Sequence, residues 1–167
     1  MAYRNKTYIA FDGDNDMHYY RLMTAWAANE RFEMNFVNAH DLNKARDTSE
    51  EESIKRQLRE RFANSKLFVL LIGANTRLLT KFVKWEIETA IRLDLPIVAV
   101  NLNGNREKDA LCPSALAGQL AVFVPFNDKI VGYAMDNWPA SHANYRKHGK
   151  LSDYRYVDSV YANLGIK

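Results

Sequence analysis

The feature that most constrains the fold is a series of short apolar segments, each about the length of a β-strand. They lie at residues 8–11, 34–37, 67–72, 97–100 and 120–124. The third and fourth segments are continuously apolar, which is typical of a strand that is buried on both faces. Such strands occur mainly in parallel sheets that carry helices on both sides. The sequence therefore predicts a mainly parallel sheet of five strands.

Amphipathic helices are predicted between these strands. Residues 16–29 and 80–94 have apolar side chains at helical spacing, and Ile54, Leu58 and Phe62 form an apolar stripe between the two. This alternation favours right-handed crossovers and a doubly wound, flavodoxin-like α/β fold with helices on both faces. Such sheets bind ligands beyond the carboxyl ends of their strands. The loops expected to hold a ligand are residues 12–16, 38–48, 73–80 and 101–109.

The C-terminal part of the chain is rich in aromatic residues. Residues 154–164 have the pattern of an amphipathic helix, and Gly165 is suited to end it. We predict a core domain over residues 1–126 and an aromatic helical extension over residues 127–167 that packs on the same domain. A length of 167 residues agrees with one domain that has a full core.

Charge and cysteine content narrow the classes of function. The net charge of +3 is small, and the densest basic run, residues 55–61, has acidic neighbours, as on a solvated helix face. Nucleic-acid binding is therefore not expected. The single cysteine, Cys112, cannot form an internal disulfide, which is typical of a reducing compartment. With no pattern of a signal peptide or membrane span, we expect a cytoplasmic protein that does not bind membranes.

Motifs for metal, phosphate and nucleophilic chemistry are weak. Residues 12–16 alternate carboxylates as a calcium loop does, but Met17 and Met23 occupy the positions that need Gly and Glu. An acidic turn that caps a helix is the simpler interpretation, so no metal site is predicted. No Gly-rich phosphate loop follows any strand. The four histidines are far apart in the sequence and are expected at the surface.

The most informative segment is residues 81–91, on the third predicted helix. Ile87 and Ala90 belong to its buried face, which places Glu86 at the edge of the core beside Trp85. A carboxylate that is desolvated there suits acid–base work or the stabilisation of a cation. The residues leave open a second interpretation, in which Glu86 is a solvated acidic residue favoured by the helix dipole.

In this order, the segments resemble the TIR-like domains of the bacterial Thoeris antiphage systems. The resemblance covers about residues 6–125, and its most specific pieces are residues 65–76 and the Trp85-Glu86-Ile87 element before Ala90. It implies a TIR-like fold and an enzyme that cleaves the nicotinamide–ribose bond of NAD. The products would be ADP-ribose or a cyclised signalling nucleotide.

The resemblance also implies roles for individual residues. Glu86 matches the catalytic glutamate of the family, and Trp85 matches its tryptophan. The reaction passes through an oxocarbenium ion, which a nearby carboxylate stabilises. Together with Trp85, further side chains from two loops at the carboxyl edge are placed near the substrate by topology: Phe11, Asp12, Asp14, Asn75, Thr76 and Arg77.

Substrate and partners follow from the same resemblance. NAD is expected as the substrate, with no separate cofactor. Self-association through TIR surfaces is expected, as is a separate effector protein that responds to the product. The alternative is a non-catalytic adaptor that uses the fold to bind a nucleotide or another TIR surface. Such an adaptor would retain binding after Glu86→Ala, whereas the enzyme requires Glu86 in a pocket that holds a dinucleotide.

Overall fold

The structure, a computed structural model, describes residues 6–28, 35–37 and 48–167. Its strands are β1 (Lys6–Ala10), β2 (Asn35–Val37), β3 (Leu67–Ile72), β4 (Ile97–Asn101), β5 (Ala121–Pro125) and β6 (Asp153–Arg155). Its helices are α1 (Met17–Ala28), α2 (Thr48–Ala63), α3 (Phe82–Arg92), α4 (Asp128–Lys147) and α5 (Asp158–Asn163). A 3-10 turn, Thr76–Leu78, precedes α3.

The strands form one parallel sheet in the order β2-β1-β3-β4-β5-β6. The predicted doubly wound α/β fold is therefore confirmed. The short strand β6 extends the five predicted strands, because residues 153–155 pair with β5. The strand order reverses between β1 and β3, and open parallel sheets bind ligands in the crevice at such a reversal.

The helices cover both faces of the sheet and bury two apolar cores. The first core contains α2, α3 and the connection before β5, with Phe62 and Ile87 among its side chains. The second contains α1, α4 and α5, with Met23 and Trp138 among its side chains. β3 is buried along its whole length, which is why its sequence is apolar without alternation.

The limits of several predicted elements differ from those observed. α3 begins at Phe82 and not at residue 80, because Thr80 and Lys81 lie in the turn between the 3-10 turn and the helix. α5 begins at Asp158 and not at residue 154, because that segment enters the sheet as β6. The predicted ligand loop at residues 38–48 lies outside the described residues, apart from Thr48 at the start of α2.

The C-terminal extension packs against the sheet. α4 contacts β5 and β4, and its aromatic residues join the second core. Gly165 has a φ of +74° and its N–H donates to the Ala162 carbonyl at 3.0 Å, so it ends α5 as the sequence predicts. None of the helices in the described part of the chain combines the length and apolar character needed to cross a bilayer.

Candidate functional site

The loop after β1 is closed by a buried carboxylate. Asp12 Oδ1 accepts hydrogen bonds from the backbone N–H groups of Asp14 and Asn15 at 3.0 and 3.3 Å. Its Oδ2 accepts a hydrogen bond from the Asn15 side-chain amide at 2.7 Å. Both oxygens of Asp12 are therefore used to hold the turn that leads into α1, while Asp14 is exposed to solvent.

Asp16 connects the loop after β1 with the loop after β3. A Cβ atom on Gly73 would lie 2.2 Å from Asp16 Oδ2, so only glycine leaves room for this carboxylate. Asp16 is buried, and its Oδ2 has no hydrogen-bond partner among the described residues. Burial, and then repulsion from Asp12, raise the pKa of Asp16. The two loops thus meet at the strand-order reversal.

The loop after β3 carries three of the predicted substrate-binding residues. Thr76 is buried, and its hydroxyl accepts a hydrogen bond from the Gly73 N–H at 2.9 Å. Asn75 and Arg77, on either side of it, are exposed. Thr76 and Arg77 also line a small cavity between this loop, the first turn of α3 and residues 113–115. Thr76 therefore shapes the loop, and Asn75 and Arg77 are polar side chains that the loop exposes to solvent.

Glu86 lies deeper than the sequence predicts. It is only 1% exposed, whereas its helical position placed it at the edge of the core. The reason is that the buried face of α3 extends as far round as Thr89, because α2 packs on the same side of the sheet. The Tyr8 hydroxyl donates a hydrogen bond to Glu86 Oε2 at 2.5 Å, and the buried Oε1 has no partner in the described structure.

Burial of this carboxylate changes its acidity. Desolvation raises the pKa of Glu86 to about 8, and the hydrogen bond from Tyr8 opposes that rise. A carboxyl group so shifted is mostly protonated at neutral pH. A positive charge that approached it would lower its pKa and favour the carboxylate form. The Glu86 carboxyl group can therefore be neutral without a ligand and ionised beside a cationic ligand.

Tyr8 is a part of the site that sequence analysis missed. Its ring is fully buried and stacks on Phe62, with the ring centroids 3.8 Å apart. Burial, and then the charge of Glu86, raise the pKa of its hydroxyl, so it stays a proton donor. A signal was present in the sequence, since a tyrosine hydroxyl in an apolar strand segment usually finds a hydrogen-bond partner when it is buried.

Trp85 lies beside Glu86 in the chain but faces the surface between α2 and α3. Its half-buried ring meets Phe62 edge-on, with centroids 6.0 Å apart. Lys55 Nζ and the Arg59 guanidinium each lie 5.8 Å from the centroid of the tryptophan ring. These distances place two cations of α2 within reach of the ring face.

The predicted site residues form two groups in the structure. The loops after β1 and β3 make one group, joined by the contact of Asp16 with Gly73. Glu86 and its chain neighbour Trp85 on α3 make the second group, and Tyr8, which was not predicted, is the hydrogen-bond partner of Glu86. Phe11 belongs to neither, since it is buried in the second core on the side of α1.

Comparison with known proteins identifies a family. The family model described as "Thoeris protein ThsB, TIR-like domain" matches residues 8–107, which is more than half of the chain. The match includes the last three residues of β1 and the whole of α3, and it confirms the resemblance inferred from the order of the segments. A search of curated proteins finds no match.

Proposed function

Since the chain belongs to the TIR-like domain family of the Thoeris protein ThsB, and so to antiphage defence, we propose that it cleaves the nicotinamide–ribose bond of NAD. Glu86 is the proposed catalytic carboxylate. The proposed product is an ADP-ribose-type signal, linear or cyclic, that acts on a separate effector protein. The observation that supports this proposal is the buried Glu86 carboxyl group with its Oε1 unpartnered in the described structure.

An unpartnered carboxyl oxygen in a core has a cost. A buried polar atom without a hydrogen bond destabilises a fold by about 1–3 kcal/mol. Glu86 lies next to Ile87 on the buried face of α3, where an apolar side chain would avoid that cost. Titratable groups with strongly shifted pKa values are concentrated at functional sites. A functional role explains why a carboxyl group occupies this position.

The proposed chemistry needs one carboxylate. The ribose C1′–N bond breaks with both electrons going to the nicotinamide, which leaves as a neutral molecule and needs no general acid. The positive charge moves to the ribose as an oxocarbenium ion, which ionised Glu86 stabilises. Water at C1′ then gives the linear product, and a nucleophile of the same nucleotide gives the cyclic one. The positive charge on the nicotinamide ring of bound NAD itself favours the ionised form of Glu86.

The loops at the carboxyl edge have proposed roles in holding the rest of NAD. Arg77 and Asn75 are exposed there and are the proposed contacts to phosphate or ribose. The carboxylates of Asp12, Asp14 and Asp16 repel phosphate, so the pyrophosphate is proposed to lie on the Arg77 side. We propose Thr76 as a part of this contact, and Trp85 as a lining residue of the opened site.

Access of NAD to Glu86 requires movement, because the side chain is only 1% exposed. This observation favours an enzyme that becomes active when a trigger, such as self-association, opens the site. It also favours the second candidate function, a non-catalytic adaptor that binds a nucleotide or another TIR surface. In either case the proposed location is the cytoplasm, and neither nucleic acid nor membrane is a proposed partner.

The experiment that separates the two candidates measures products and binding together. The purified protein is incubated with NAD, with and without lysate from phage-infected cells. The nucleotides are then separated and identified by mass spectrometry. We expect nicotinamide together with ADP-ribose or with a product lighter by one water, which is the cyclic form. No nicotinamide under any condition, with equal NAD binding by the wild type and Glu86→Ala, would contradict cleavage and support the adaptor.

A further inference from the structure

The contact between Tyr8 and Glu86 joins the centre of the sheet to the proposed catalytic helix. Tyr8 lies in β1 and Glu86 in α3, and the hydroxyl and the carboxyl oxygen are 2.5 Å apart. Both side chains are buried, with exposures of 0% and 1%. Hydrogen bonds to an ionised carboxylate are roughly twice as strong as those to a neutral acid, so this contact strengthens when Glu86 loses its proton.

The position of the hydroxyl is fixed by the surrounding rings. Tyr8 stacks on Phe62 at 3.8 Å and lies 5.8 Å from Phe68, measured between ring centroids. These contacts hold the tyrosine ring in one plane. Its hydroxyl donates to Oε2 of Glu86 and not to Oε1. Glu86 is thus held by one oxygen, and the other is left without a partner in the described structure.

We propose that Tyr8 is the positioning residue of Glu86: its hydroxyl fixes Oε2 and leaves Oε1 as the oxygen that meets the ribose of NAD. This inference rests on the proposed function. It adds Tyr8 to the site and gives the two carboxyl oxygens of Glu86 different roles. The hydroxyl also favours the charged form of the carboxyl group, because it donates to it. Arg61 of α2 is the further charged group that acts on Tyr8 within the described chain.

The variant that tests this inference is Tyr8→Phe, which keeps the stacked ring and removes only the hydroxyl. A matched control is Tyr161→Phe. Tyr161 is also fully buried, but it lies in the second core and its hydroxyl has no hydrogen-bond partner among the described residues. Both variants lose one buried hydroxyl, so a difference between them reports on the contact with Glu86.

The measurement is the titration of the Glu86 carboxyl carbon by NMR, with its signal identified by its loss in Glu86→Gln. We expect Tyr8→Phe to raise the titration midpoint by about one pH unit, the size expected for one lost hydrogen bond to a carboxylate, and Tyr161→Phe to leave it in place. The acidic limb of the pH profile of kcat/KM for NAD cleavage should move by the same amount.

The outcomes separate this inference from the proposed function. An unchanged midpoint in folded Tyr8→Phe would overturn the positioning role. A shifted midpoint without nicotinamide release by the activated wild type would establish the contact but reject the role of Oε1 in NAD cleavage. If Tyr8→Phe does not fold, 3-fluorotyrosine at position 8, a stronger donor, must lower the Glu86 midpoint; a midpoint that stays in place overturns the inference.

Discussion

At the scale of single residues, Gly73 determines how closely the loops of the sheet edge approach each other. The three nearest atoms to a Cβ built on Gly73 all belong to the Asp16 carboxyl group, at 2.2, 2.8 and 2.8 Å. Gly73→Ala therefore displaces Asp16, and we expect it to lower the free energy of unfolding by about 1–3 kcal/mol, as overpacking does. Urea denaturation measures this loss.

The double variant identifies Asp16 as the cause. Asp16→Ala in the Gly73→Ala background removes the obstructing carboxyl group, so we expect it to restore most of the lost stability. Strictly additive effects of the two substitutions would contradict the contact, since residues that share a contact show a coupling energy.

Sequence analysis found the candidate carboxylate but not its surroundings. Glu86 could be selected because its residue type and its neighbour Trp85 are local properties of α3. Its depth depends on α2 packing beside α3, and its partner Tyr8 is 78 residues away in the chain. Neither follows from a periodic pattern. The same reason explains His142, which was expected at the surface but is buried on α4, where its Nε2 lies 3.1 Å from Oδ1 of Asp94 in the turn after α3.

At the scale of elements, α4 has a well-formed start. The Asn127 side-chain oxygen accepts hydrogen bonds from the Lys129 and Ile130 N–H groups at 2.9 and 3.3 Å. We expect Asn127→Ala to cost about 1 kcal/mol of stability, because those groups lose their acceptor. Asn127→Asp keeps an acceptor at the same position and should retain most of the stability that the cap provides. Thermal denaturation of the two variants compares them, and equal losses would show that capping is not the cause.

Long elements were predicted from the sequence more accurately than short ones. β3, with six residues of unbroken apolar sequence, was predicted with the limits observed. β6 and the 3-10 turn have three residues each and were missed, because so short a segment has no periodicity to read. β6 forms through pairing with β5, which is a tertiary contact.

At the scale of the whole molecule, Glu86 links folding to pH. Its pKa rises from an ordinary value of 4.5 to about 8 in the fold, so the fold favours the protonated form. Its contribution to stability is therefore complete below about pH 4.5 and is lost progressively as the pH rises to about 8. The steepest loss is about 1.4 kcal/mol per pH unit for one group.

Glu86→Gln stays neutral and removes this dependence. We expect the variant to gain stability relative to the wild type as the pH rises from about 5 to about 8, by a few kcal/mol. Urea unfolding at both ends of that range measures the difference. Asp16, whose pKa is also raised, is present in both proteins and cancels in the comparison. A difference in stability that does not change with pH would contradict a raised pKa for Glu86.

The whole-molecule architecture was predictable because alternating strand and helix patterns leave few topologies. Glu86 is the proposed catalytic carboxylate for cleavage of NAD. Glu88 offers a matched control, since it is an exposed glutamate of the same helix, with its Oε1 3.9 Å from Lys84 Nζ.

The most direct measurement is the rate of nicotinamide release from NAD by the activated wild type, Glu86→Gln and Glu88→Gln, each checked for folding. Loss of one stabilising group at an oxocarbenium-type transition state predicts a decrease of about 100-fold or more for Glu86→Gln. Glu88→Gln should retain the wild-type rate. Release by Glu86→Gln at the wild-type rate would contradict the assignment of Glu86 as the catalytic carboxylate.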